Sequence, residues 1–106
     1  MTVAIETGST NVYADLGYDD SAEMQRKASL AAEIARAIKA RHLTQAAAAV
    51  LLGIDQAKIS KITRGKFRGV SEAKLLGLVA KIGHDVRIVV GKTRHQGAGK
   101  IELEFA

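Results

Sequence analysis

The sequence predicts a mostly α-helical bundle of four to five helices with a short C-terminal β element. Three observations predict it. Apolar residues recur at helical spacing through Leu30, Ile34 and Ile38, and again through Leu75, Leu76, Leu78, Val79 and Ile82. Between those stretches, capping residues and glycines alternate at Thr44, Gly53, Asp55, Gly65 and Ser71. After Gly83 the period shortens from helical to alternating.

The chain has 106 residues, of which 47% are hydrophobic and 25% charged. That suffices for one domain with its own core and argues against wholesale disorder. The absence of cysteine excludes disulfide scaffolds, thiolate zinc sites and thiol nucleophiles. No apolar run nears the ~18 residues of a membrane span. Met1 to Thr10 lacks the basic and apolar blocks of a signal peptide, so a cytoplasmic protein is expected.

Residues 1–19 show no sustained period and read as an N-terminal arm, with Val12 to Tyr18 mildly apolar. Asp20 and Glu23 have the spacing of a capping box, which opens a first helix over about residues 20–41. Ala31 and Ala35 flank its Leu30–Ile34–Ile38 stripe. Thr44 caps the second helix, whose four consecutive alanines (Ala46 to Ala49) favour helix and allow close crossing. Gly53 supplies the positive φ that turns the chain. Asp55 caps a third helix over about residues 56–64, ended by Gly65. Ser71 caps the fourth, and Gly83 closes it. Residues 20–83 therefore form the helical domain. Residues 84–106 hold the β element. Val86, Ile88 and Val90 alternate in one strand, and Ile101, Leu103 and Phe105 in a second. A lone two-stranded unit is marginal, so these strands either finish the core as an intrachain hairpin or pair between copies, and the two are compatible.

The net charge of +5 is unevenly spread. Residues 1–25 carry Glu6, Asp15, Asp19, Asp20 and Glu23 with no Lys or Arg, whereas Lys58, Lys61, Arg64, Lys66 and Arg68 crowd one short stretch against Asp55. Such a cluster suits a polyanion, although charge alone equally serves solubility.

The second and third helices and their turn satisfy several steric demands at once. Ala49 is small where the helices approach. Ala48 and Leu52 face the core, Gly53 turns, Ile54 plugs the turn, and Ile59 and Ile62 are the buried residues of the third helix. These are the demands of a helix-turn-helix, whose second helix enters the DNA major groove. The same spacing also serves an ordinary α-hairpin; the basic residues favour the DNA reading.

Leu43-Thr44-Gln45-Ala46, Leu52-Gly53-Ile54 and Gln56 through Gly65 resemble the Cro/cI-type (XRE) helix-turn-helix family, whose fold is the lambda-repressor-like bundle. The wider frame, with Asn11 to Gly17 before and Gly83 to Val90 after, is similar to a subgroup rich in HigA-like antitoxins. The resemblance implies a repressor that binds duplex operator DNA, as an antitoxin with a toxin partner. It implies that Gln45 buttresses a phosphate contact and that Gln56, Ala57, Lys58 and Lys61 reach the bases. Gln suits adenine, Lys suits guanine O6 and N7, and Ala57 suits a thymine methyl. Ser60, Arg64, Lys66 and Arg68 are placed for phosphates. The rival for Gln56 and Lys58 is a solvated helix face, and for Lys66 and Arg68 a solvated loop. Asp55 stands where serine is common in the family and reads as a cap or a negative selector. One recognition helix spans few base pairs, so a homodimer on two half-sites is expected.

Enzyme chemistry is not expected. His42, His84 and His95 lack the spacing of metal ligands, and His42 reads as a helix C-terminal residue favourable to the dipole. Gly97-Ala98-Gly99-Lys100 is not a phosphate loop, so neither metal nor cofactor is expected. The chain has only four aromatics, Tyr13, Tyr18, Phe67 and Phe105, which disfavours single-strand stacking. The competing reading is a protein-interaction adaptor that works through the acidic arm, for which the basic face at Lys58, Lys61 and Arg64 would be idle.

Overall fold

A computed structural model describes residues 18–106, with side chains from Ser21 onward. Four helices lie among the described residues: α1 (Tyr18–Ala40), α2 (Gln45–Leu52), α3 (Gln56–Thr63) and α4 (Glu72–Lys81). The expected arm over residues 1–19 falls outside them, save Tyr18 and Asp19, which are already helical.

α1 starts at Tyr18, two residues before the expected range, so Asp20 is in its first turn and is not its N-cap. Nothing at Tyr18 or Asp19 breaks a helix, and acids suit the positive end of the dipole throughout the first turn. At the other end, the His42 and Leu43 N–H groups donate to the Lys39 and Ile38 carbonyls, both at 3.0 Å. This is a Schellman closure, with His42 at φ 55 in the place a glycine usually takes.

α1 packs on α4 and α3, and α2 packs on α3 and α4. Leu30, Ile34, Leu52, Ile59, Ile62, Leu75 and Leu78 are fully buried at the centre. Each such side chain contributes roughly 1.5–3 kcal/mol relative to exposure. The apolar stripes expected from spacing are this core, with Ala35 and Leu76 only partly covered. Ala48, wholly buried, lets α2 sit close to its neighbours.

Side-chain fasteners tie the helices together. Arg26 makes a two-pronged pair with Glu72 at 2.7 and 3.0 Å. Arg41 donates to the Ile82 carbonyl at 2.9 Å. His84 Nε2 lies 2.7 Å from Glu33, which also pairs with Arg36.

The C-terminal β element is not present. Residues 85–106 contain no strand, and neither expected segment pairs with the other. Alternation gives a segment two faces, but a strand also needs a ladder partner, and within the chain neither segment supplies one. The second segment is instead held to the helices: Arg26 Nη1 donates to the Ile101 carbonyl at 3.2 Å, and Leu103 packs partly against the core. Ile88, Val89 and Val90 stay 77%, 77% and 91% exposed.

Candidate nucleic-acid interface

The α2–turn–α3 unit is set by its caps. Thr44 Oγ1 accepts the Ala47 N–H at 3.0 Å, and Asp55 Oδ1 accepts the Lys58 N–H at 2.9 Å. Asp55 is therefore the cap of α3, one of its two expected roles. Between the helices Gly53 has φ 69 and donates to the Ala49 carbonyl at 2.8 Å. A Cβ there would meet Lys81 Nζ at 3.4 Å. That ammonium donates to the Leu52 carbonyl at 3.3 Å, so α4 braces the end of α2.

Ile59 and Ile62 turn inward from α3. At about 100° per residue, Ala57, Lys61 and Arg64 fall on the opposite side, with Gln56 and Lys58 on the flanks. All five are exposed, as is Gln45 at the start of α2. Ser60 is half-buried, and its carbonyl accepts the Thr63 hydroxyl at 3.1 Å. Among the described residues, none of Lys58, Lys61, Arg64, Lys66 and Arg68 has its side chain in an ion pair.

Beyond α3 the chain reverses at Gly65, and the Lys66 N–H donates to the Lys61 carbonyl at 2.8 Å. Phe67 packs partly against the core and Val70 is buried, while Lys66 and Arg68, on either side of Phe67, are exposed. Lys27 on α1, only 6% exposed, donates its ammonium to the Arg68 carbonyl at 3.1 Å. The loop that presents Lys66 and Arg68 is thus held from beneath.

Residues 12–91 match a family described as a helix-turn-helix domain. A solved structure described as an XRE-family transcriptional regulator superposes with a TM-score of 0.71 at 38% identity, covering 82% of this chain and 99% of that one. The chain belongs to the XRE-type helix-turn-helix family. No curated protein matches it.

In this XRE-type chain, every residue expected to meet DNA lies on α3, on the loop after it, or at the start of α2. The fold brings Gln56, Ala57, Lys58, Lys61 and Arg64 onto one short exposed helix. Sequence reading missed Lys27. The signal was present: Lys27 continues the Leu30–Ile34–Ile38 stripe one turn toward the N-terminus, and a lysine in a core stripe needs a buried acceptor. No helix among the described residues is long and apolar enough to cross a membrane.

Proposed function

We propose that this chain binds a specific duplex DNA sequence as a homodimer and represses a promoter, its own in the first instance, as a HigA-like antitoxin with a toxin partner. The observation that carries the DNA reading is the crowding of Lys58, Lys61, Arg64, Lys66 and Arg68 on α3 and its following loop, all exposed and, among the described residues, outside any ion pair. An adaptor acting through the acidic arm has no use for that exposed set.

In this reading Gln56, Ala57, Lys58 and Lys61 read base edges, with Lys61 and Ala57 deepest in the groove because they lie opposite the core residues of α3. Arg64, Lys66 and Arg68 take phosphates, Gln45 buttresses a phosphate at the start of α2, and Ser60 makes a lesser phosphate contact from its half-buried position. Repression follows by occlusion, since a promoter covered by protein excludes polymerase. The antitoxin role rests on the resemblance of the wider frame. It is tested by co-purification with the product of any small reading frame adjacent to the gene.

The DNA reading is tested by binding to a labelled duplex carrying the protein's own promoter, against a scrambled duplex of equal length. A strong preference for the promoter is expected. Affinity should fall ~10³-fold or more from low to moderate salt, because several phosphate contacts release counterions. Equal weak binding to both duplexes with a flat salt response would overturn the reading.

A further inference from the structure

Among the described residues, segments 86–90 and 101–105 of the C-terminal tail pair with no strand. Segment 86–90 is the more exposed, with Ile88, Val89 and Val90 largely in water. Segment 101–105 is fixed to the helices by the Arg26 bond to the Ile101 carbonyl and by Leu103, yet Ile101 and Phe105 remain 64% and 49% exposed. Extended backbone with an unpaired edge and one apolar face is a template for another strand.

The side chains specify which strand fits. An antiparallel register that sets Ile88 opposite Leu103 also sets Val86 opposite Phe105 and Val90 opposite Ile101, so all six apolar side chains share one face. On the other face that register places Arg87 opposite Glu104. Pairing segment 101–105 with its own copy about Leu103 would set Glu102 against Glu104, a like-charge pair directly across the ladder. The charges therefore favour joining the first segment to the second and disfavour joining the second to itself.

We infer that two copies of this chain exchange tails: segment 86–90 of one copy adds as a strand to segment 101–105 of the other, and the reverse, around a two-fold axis. The docked segment is the receiving edge and the exposed one is the arm. An isolated hairpin within one chain would be marginal, whereas exchange forms two ribbons, each backed by a helical domain. This rests on the homodimer proposed above and names the element that makes it.

The natural absence of cysteine gives a direct test on the full chain. In the stated register Val89 faces Glu102, so Val89→Cys and Glu102→Cys proteins are prepared separately, mixed and oxidised. Exchange predicts a covalent dimer in the mixture far in excess of either protein alone. The double variant Val89→Cys/Glu102→Cys closing within single chains would overturn it in favour of an intrachain hairpin. Sedimentation equilibrium supplies the second arm. Ile88→Asp, at a position exposed in the single chain, should weaken dimerisation at least about 100-fold. Arg87→Glu should weaken it about fivefold, with Glu104→Arg in the same chain restoring it. A wild-type chain that stays monomeric, or an Ile88→Asp chain that dimerises normally, would overturn the inference. Binding of Ile88→Asp to a single half-site keeps the two readings apart: retained half-site binding shows that the DNA reading stands whatever becomes of the tails.

Discussion

The ammonium of Lys27 and the carbonyl of Arg68 meet at 3.1 Å, joining the underside of α1 to the loop that follows α3. Replacing Lys27 with Met keeps the buried stem and removes the donor. The stranded Arg68 carbonyl should then cost about 1–3 kcal/mol of stability, read as a lower urea midpoint. If Arg68 contacts phosphate, operator affinity should also fall several-fold in Lys27→Met protein that remains folded. A midpoint unchanged from wild type would show that the bond contributes nothing.

Base readers and phosphate binders differ in what their loss does. Lys58→Ala with Lys61→Ala should remove most of the preference for promoter over scrambled duplex. Arg68→Ala should weaken binding to both about equally and reduce the salt slope by about 1. Competition binding at several salt concentrations distinguishes the two, and a uniform loss from the lysine pair would reassign Lys58 and Lys61 to phosphates.

Two positive-φ positions carry opposite expectations. Gly53 at φ 69 lies beneath the Lys81 ammonium, so Gly53→Ala should destabilise the fold by about 1 kcal/mol or more. His42 at φ 55 already carries that strain, so His42→Gly should stabilise by roughly 0.5–1 kcal/mol. Thermal melts of both variants check the pair.

Glu33 contributes to the response to acid. Hydrogen bonds from Arg36 and then His84, acting against its burial, lower its pKa from 4.5 to about 2. A carboxylate with a depressed folded-state pKa stabilises above its unfolded value and loses that stabilisation as pH falls through the folded one. The window therefore runs from about pH 4.5 down to about 2. With Arg36 open to solvent, the contribution is on the order of 1 kcal/mol. Glu33→Gln should cost about that much at neutral pH and flatten the acid limb of a stability profile, which urea melts across that range would measure.

The helical part of this chain was legible because its signals are local. Thr44, Asp55 and Ser71 each accept the N–H three residues on, and the apolar spacing marks the residues that are buried. The start of α1 was misread because a capping box identifies a favourable first turn, and here the helix runs on through Tyr18. The intrachain hairpin, one of the two pairings expected of the tail, is absent for a different reason. Alternation at Val86 to Val90 records a preference for extended backbone, but a strand is a property of two segments, and the sequence of one does not say where the other lies. Lys81 was hidden because a lysine's reach to a distant carbonyl has no sequence period, whereas the place of Lys27 in the apolar stripe of α1 was a readable signal. Exposure of Gln56, Ala57, Lys58 and Lys61, by contrast, followed directly from Ile59 and Ile62 facing inward.

The root of the tail is pinned at several points: Lys81 to the Leu52 carbonyl, the Ile82 carbonyl to Arg41, and His84 to Glu33. One of these contacts, from Lys81, also braces the turn before α3, and together they anchor the point from which residues 85 onward depart. Two copies joined through their tails would hold their recognition helices in fixed rotational phase, with little slack between them. One base pair inserted between half-sites turns one of them by about 34° relative to the other. Such a molecule would measure operator spacing as strictly as it reads operator sequence.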